Sequence, residues 1–284
     1  MTALPVETAH IGPAPRIAVD RLGDGPAVLC LHGIGGGRIN WTDQLAALAA
    51  GGWTGLAWDA RGYGLSDDVE GARDFAHFAA DLLRVLDHYG IGKVCLLGLS
   101  MGGRIALDFQ GRHPDRVGAL VLADTSGGTA QSRDPAKIAA FLAARRKPLL
   151  EDGLTPADIA PGIARSFAGP GCPPDAFARI VETLAALRTD SYLKTLEAVT
   201  RYHDFPPFSR ITVPTLVLNG EHDPIAPPAM GREMADAIPG ATHMVIPDAG
   251  HASNIENPAA FNAALLGWLA AHWPASPARM AAHD

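Results

Sequence analysis

Val94-Cys95-Leu96-Leu97-Gly98-Leu99-Ser100-Met101-Gly102-Gly103 is the stretch on which the reading of the whole chain turns. A short apolar run enters a glycine-flanked turn that carries a serine, and a helix is predicted from Arg104 to about Gly111. That is G-x-S-x-G in a strand–turn–helix setting. The glycines have a physical reason. The serine sits at strained backbone angles, and a side chain two residues to either side would collide across the turn. The strain lifts the hydroxyl above the sheet, where a base and a substrate carbonyl can reach it. An ordinary Gly-rich βα turn can also hold a serine. What separates the two is whether a base and an acid arrive at neighbouring strand ends.

Working outward, residues 27–31 are a continuous apolar run of the kind buried on both faces of a parallel sheet, ending in His32-Gly33-Ile34-Gly35-Gly36-Gly37. Residues 16–22, 54–59, 119–124, 215–219 and 242–246 read as further strands. Helices are predicted over 41–50, 75–89, 229–237 and 258–271. In the second of these, Phe78, Leu82, Val85, Leu86 and Tyr89 keep a 3.6-residue period and Gly90 stops it. Alternating strands and helices predict an α/β fold with a mostly parallel central sheet flanked by helices. Between 126 and 205 the alternation stops, and only helical patterns remain, over 138–150, 156–167, 174–187 and 191–203. This segment is expected to be an inserted helical cap, with 1–125 and 206–273 as the core. A Pro-rich lead-in over 1–15 is expected to be poorly ordered, and a tail over 274–284 disordered.

Bulk properties set bounds. The chain has 284 residues, 48% of them hydrophobic and 19% charged, which suits one large globular domain with an insertion. With 23 basic against 30 acidic residues the net charge is −7, which offers no basic surface for nucleic acid or an anionic membrane. No apolar run approaches the ~20 residues that span a bilayer. Residues 1–10 hold no Lys or Arg and no apolar segment, so no secretory leader is expected. Cys30 and Cys95 fall in apolar runs and Cys172 in a Gly/Pro loop. Three cysteines without framework spacing read as reduced thiols, and the expected location is cytoplasmic.

A serine hydroxyl is a weak nucleophile at neutral pH and needs a base, itself oriented by an acid. In a sheet of this kind these follow the later strands in the order serine, acid, histidine. Asp223 lies just past the strand 215–219, and His251 past 242–246, both at strand C-termini where open α/β sheets build their sites. Asp124 also ends a strand and is a rival acid; Glu221 is a weaker one. His222 and His243 read as structural, and His32 as shaping its loop. The oxyanion hole needs two N–H groups aimed at one point: Met101 supplies one, and Ile34 the other, with Gly35 as the second choice. Gly33-Ile34-Gly35 with Asp59 mimics a dinucleotide site, but position 38 is arginine where that fingerprint needs its third glycine. Zinc and phosphate-loop spacings are missing, so neither metal nor cofactor is expected.

These motifs together resemble the α/β-hydrolase superfamily over about residues 16–273, the helical insertion excepted. The markers are His32-Gly33, Asp59-Ala60-Arg61-Gly62-Tyr63-Gly64-Leu65-Ser66, Gly98–Gly103, His222-Asp223-Pro224 and Gly250-His251. A serine in the turn sets the chain apart from the branches with an aspartate nucleophile. Gly250-His251-Ala252-Ser253-Asn254-Ile255-Glu256-Asn257-Pro258-Ala259-Ala260-Phe261-Asn262, with His222-Asp223-Pro224 and Pro227-Pro228, closely resembles the 3-oxoadipate enol-lactonase group. The resemblance implies a cofactor-free serine hydrolase of a small-molecule ester or lactone, acting through an acyl-enzyme. Ser100 would be nucleophile, His251 base, Asp223 orienting acid, and the Ile34 and Met101 N–H groups the oxyanion hole. The rival group, carbon–carbon hydrolases of meta-cleavage products, carries Asn before the nucleophile and Trp after the histidine, where this chain has Leu99 and Ala252. A non-catalytic ligand-binding member of the fold is the third alternative. A carboxylated lactone would call for a cation, for which Arg38, Arg165, Arg179 and Arg188 are the candidates, while Gly33 and Gly35 would let backbone approach substrate. A homodimer is left open.

Overall fold

Eight strands, among the residues described, form one sheet in the order β1-β2-β4-β3-β5-β6-β7-β8. They are β1 (Glu7–Ile11), β2 (Ile17–Leu22), β3 (Ala27–Leu31), β4 (Thr54–Trp58), β5 (Val94–Leu99), β6 (Val117–Ala123), β7 (Thr215–Gly220) and β8 (Thr242–Ile246). The structure is a computed structural model and describes residues 6–127, 134–202 and 204–275. From β4 to β8 every pairing is parallel, and only β2 runs the other way, antiparallel to both β1 and β4. The sheet is therefore mostly parallel, with helices on both faces, as the alternation of patterns requires.

Strand β5 shows how the two faces are made. Its side chains alternate: Val94 and Leu96 enter the core beneath α2 (Phe75–His88), α3 (Met101–Arg112) and α8 (Pro228–Ala237). Cys95, Leu97 and Leu99 enter the one beneath α1 (Thr42–Ala50) and α10 (Pro258–His272). Both faces being covered, no position of β5 or β3 is left to be polar. Trp41 and Trp58 are fully buried, one in each core.

The lead-in is a correction. Residues 7–11 are not loose but form β1, paired antiparallel to β2 from Glu7↔Arg21 to Ile11↔Ile17. Only Ile11 of β1 is buried, so this polar edge strand carries no hydrophobic period to read. Of the expected tail, Pro274 and Ala275 are described, whereas 276–284 lie outside the described residues, as do 1–5, 128–133 and 203.

Between β6 and β7 come four helices, α4 (Pro135–Leu150), α5 (Pro156–Arg165), α6 (Pro174–Ala185) and α7 (Thr189–Arg201). Three of them open on proline, whose missing N–H is spare at that position. Asp134 caps α4 by accepting from Ala136 N, so this helix begins earlier than its apolar pattern predicts. The four do not form one core. Helices α5 and α6 pack Ala160, Ala164, Ala176, Ile180 and Leu184 with Ala252 and Ile255, while α4 and α7 pack Leu142 and Leu149 with Tyr192, Leu193 and Leu196.

Candidate active site

Ser100 stands at the junction of β5 and α3 with φ 54° and ψ −114°, a conformation that only a tightly held residue keeps. Its N–H donates to Ala123 O at 2.9 Å, and its carbonyl accepts from Thr125 Oγ1 at 2.7 Å. The flanking glycines are needed for space. A Cβ on Gly98 would land on the Gly102 carbonyl, and one on Gly102 on the carbonyl of Leu31. The helix can thus start within contact of β3, leaving the Ser100 hydroxyl raised at the strand ends.

Two later strands bring its partners. His251, after β8, places Nε2 2.9 Å from Ser100 Oγ, and its Nδ1 donates to Asp223 Oδ2 at 2.8 Å. Asp223, after β7, is buried; its Oδ1 accepts from Ile225 N at 2.7 Å and Ala226 N at 3.0 Å. With Nδ1–H committed to Asp223, Nε2 is left as an acceptor for the Ser100 proton. Burial disfavours a charged imidazole. The hydrogen bond and charge of Asp223, helped by Asp124 and Glu256, outweigh it and raise the His251 pKa above its ordinary value.

Asp124, the rival acid, makes no hydrogen bond to His251. Its Oδ1 accepts from Gly220 N at 2.8 Å, and Oδ2 accepts from Ser253 N at 3.0 Å and Ser253 Oγ at 2.6 Å. Burial, and then repulsion from Asp223, push its pKa up to about 7. It ties β6, β7 and α9 (Ser253–Glu256) together beneath the histidine. Glu221 is exposed, and with His222 and Asp248 makes a surface cluster whose ligand-type atoms lie within 4.8 Å of one another. His243 pairs with Asn219 at 3.0 Å.

The loop after β3 is held by its own histidine. His32 Nε2 accepts from Ala60 N at 3.0 Å, so Nδ1 carries the proton and donates to Gly33 O at 2.8 Å; burial depresses its pKa. Neither Ile34 N nor Met101 N has an acceptor among the described residues. Both residues line space that Ser100 also lines.

That space is two chambers meeting at Ile34, Ser100 and His251. The smaller, about 60 Å³, lies under α5–α6 and is walled by Gly33, Gly35, Leu99, Phe167, Ile180 and Leu184 among others. The larger, about 410 Å³, lies under α4 and α7; Met101, Arg104, Asp124, Lys137, Phe141 and Val199 are among its walls. Gly33 and Gly35 are thus where the sequence put them. The four candidate arginines are not. Arg38 is bound to Asp20 at 3.0 Å and Asp59 at 3.2 Å, and Arg179 to Asp43 at 2.7 Å. Arg188 donates to Gly64 O and Ser66 O at 2.8 and 3.1 Å, and Arg165 lies 5.8 Å from the Phe177 ring centre. None of the four lines either chamber. Each lies beside an acceptor or ring that outcompetes the cavity for its guanidinium.

Two residues at the site went unread. Arg104 lines the larger chamber from one helical turn past Ser100, and the i, i+4 spacing was the available signal. Glu256 is buried, and its carboxylate accepts from Gly169 N at 2.7 Å, Gly250 N at 3.0 Å and Ala252 N at 3.1 Å. It fastens the His251 loop to the α5–α6 connection. A lone glutamate in a polar stretch gives no sequence signal for that role.

Comparison with known proteins agrees with this architecture. Residues 26–258 match the family described as alpha/beta hydrolase fold. A 3-oxoadipate enol-lactonase from Acinetobacter baylyi is 29% identical over 247 residues, covering 85% of this chain and 88% of that protein. A 2-hydroxy-6-oxononadienedioate/2-hydroxy-6-oxononatrienedioate hydrolase from Klebsiella pneumoniae is 30% identical over 267 residues, covering 90% and 91%. Among solved structures, a thermophilic esterase from Thermogutta terrifontis superposes with a TM-score of 0.80 at 27% identity, covering 95% of this chain and all of that one.

Proposed function

The chain belongs to the alpha/beta hydrolase family, and from that footing we propose that it is a cofactor-independent serine hydrolase cleaving an ester or lactone of a small metabolite. The observation that carries this reading is the unbroken relay from Ser100 Oγ through His251 to Asp223, at 2.9 and 2.8 Å, opening onto two chambers. Ser100 attacks the carbonyl as His251 Nε2 takes its proton. The Ile34 and Met101 N–H groups receive the developing oxyanion, at an estimated ~10²–10³ in rate for each such donor. Asp223 holds the imidazole in the accepting tautomer and stabilises the imidazolium. His251 then returns the proton to the leaving alkoxide, and water, activated by the same base, releases the acyl group. Helices α4–α7 act as the cap that bounds both chambers. Among the described residues no helix is long and apolar enough to cross a membrane.

The enol-lactonase relative supports a lactone or ester, as does the resemblance of the stretch around His251. A second reading, hydrolysis of a carbon–carbon bond in a diketo acid, is favoured by the relative from Klebsiella pneumoniae. Leu99 and Ala252 weigh against it.

The test is labelling by a fluorophosphonate probe together with turnover of nitrophenyl esters. Wild type should label and turn over, and folded Ser100→Ala should do neither, with kcat lower by ~10³-fold or more. Labelling that survives in Ser100→Ala would overturn the assignment. A protein that never labels would be the non-catalytic member of the fold, and turnover of vinylogous diketo acids in preference to esters would select the second reading.

A further inference from the structure

No Lys or Arg answers the buried Glu256 carboxylate among the described residues. Three backbone N–H groups do: Gly169 and Gly250 donate to Oε2 at 2.7 and 3.0 Å, and Ala252 to Oε1 at 3.1 Å. Gly250 and Ala252 flank His251 in the chain, while Gly169 belongs to the connection between α5 and α6. The same connection holds the base a second time. Phe167 O accepts from His251 N at 2.9 Å, and the Phe167 ring meets the imidazole edge-on with centres 5.8 Å apart. A Cβ on Gly250 would come within 2.3 Å of Gly169 N and 2.5 Å of Phe167 O, and one on Gly169 within 2.8 Å of Gly250 N. The inserted segment and the loop of the base thus meet backbone to backbone.

A buried carboxylate is unfavourable unless its oxygens are satisfied, and hydrogen bonds from N–H to a charged acceptor are short and strong. Glu256 therefore fixes three points of backbone at once, two of them beside His251. The relay tolerates little displacement, since an error of ~1 Å in a reacting group can cost ~10²-fold in rate. The charges facing His251 come from Asp223 after β7, Asp124 after β6 and Glu256 on α9, and each favours the imidazolium. Cys172 of the α5–α6 connection also faces Glu256. Burial and then the charge of Glu256 push its thiol up to about 11, so at neutral pH it brings no charge of its own.

We propose that Glu256 is a positioning residue for the base, one that makes the α5–α6 connection of the cap part of the scaffold aiming His251 at Ser100. This rests on His251 being the base of the proposed hydrolase. This half of the cap then stays seated through turnover, because lifting it would withdraw the support of the imidazole.

Two variants separate the charge from the seam. Glu256→Gln keeps the shape and removes the charge. Gly169→Ala keeps the charge and forces the seam apart by one methyl group, at a position that lines neither chamber and has no left-handed φ. Steady-state hydrolysis of 4-nitrophenyl butanoate gives kcat and KM, and the His251 ring is titrated by heteronuclear NMR in the same proteins. Both variants should lose kcat, by ~10-fold or more for Glu256→Gln and about threefold or more for Gly169→Ala, with KM changed less than about twofold. Only Glu256→Gln should move the acid limb of kcat/KM and the His251 titration, both to lower pH, because one charge that favours the imidazolium is gone. A glutamate that only stabilises the fold would lower the melting temperature and leave both in place. Wild-type kcat in either folded variant, or an unmoved His251 titration in Glu256→Gln, overturns the proposal. If Glu256→Gln does not fold, kcat of Gly169→Ala decides. A wild type that neither labels with fluorophosphonate nor turns over esters refutes the hydrolase reading instead, and the NMR titration then decides whether Glu256 acts on His251.

Discussion

The two halves of the inserted segment treat the same serine differently. On one side α5 and α6 are drawn tightly down. Arg179 reaches Asp43, Phe167 O accepts from His251 N at 2.9 Å, and Glu256 binds Gly169 N, so the chamber beneath is small and walled mostly by hydrocarbon. On the other side α4 and α7 pack mainly on each other through Leu142, Leu149, Tyr192, Leu193 and Leu196. They stand over a chamber nearly seven times larger (about 410 against about 60 Å³), with Arg104 and Lys137 in its wall. The small chamber can discriminate by shape, because a buried apolar wall tolerates little change in volume. The large one can discriminate by charge. They share Ser100, His251 and Ile34.

Each part of that contrast can be broken separately. The largest effect should come from the shared part: His251→Ala should lower kcat by ~10³-fold or more on every substrate, acid or neutral, measured in steady-state assays on folded protein. Loss on one substrate class alone would show that the chambers do not converge on one base. Next, Leu184→Ala should enlarge the small chamber. Leu184 is 3% exposed, so urea denaturation should show a loss of ~2–5 kcal/mol, while preference for a bulkier group on that side rises by ~10-fold or more. The charge preference set by the other chamber should not move with it.

Third comes the pH profile. The proposed reaction needs neutral His251, whose pKa is raised above 6.5, so kcat/KM should fall as pH drops through a value above 6.5. The charge of Asp124 is one of the causes of that rise, so Asp124→Asn should move the acid limb to lower pH. The amide must also turn an N–H₂ towards Gly220 N–H or the Ser253 donors, at a stability cost of ~1–3 kcal/mol. An unshifted limb would mean that Asp124 is electrically silent at the site. The smallest effect is expected from Lys137→Gln, at the exposed edge of the large chamber. It should lower kcat/KM for carboxylated substrates by about threefold or less, and added salt should remove the difference.

The serine turn, the order of acid and base, and the α/β alternation were legible because each is local or is written in buried strands. Ser100 and Asp223 follow β5 and β7, which have no exposed position, and runs of that kind announce themselves, whereas His251 follows β8, whose Met244 and Val245 are exposed but still apolar. The first strand was missed for the opposite reason, since β1 shows water most of its side chains. Four arginines proposed for substrate were placed elsewhere by partners distant in sequence, such as Asp43 for Arg179 and Asp20 for Arg38. Arg104 was overlooked although it directly follows the quoted serine turn. A residue one turn along a helix is near its neighbour in any fold, but whether a carboxylate comes to meet it is not a local property.

The sequence by itself determined the sheet with its helices on both faces, the strained serine, and the strand ends from which a base and an acid would come. These follow from periodicity, from glycines that alone leave room for a carbonyl, and from the direction of parallel strands. Only the tertiary structure decided that Asp223 and not Asp124 meets His251, because the two acids differ in which N–H groups surround them and not in residue type. It also decided that the inserted helices divide into two clusters, leaving a tight apolar chamber on one side of Ser100 and a wide one lined in part by Arg104 and Lys137 on the other. Pairing and packing are set by which side chains arrive from elsewhere in the chain, and the order of residues does not state that.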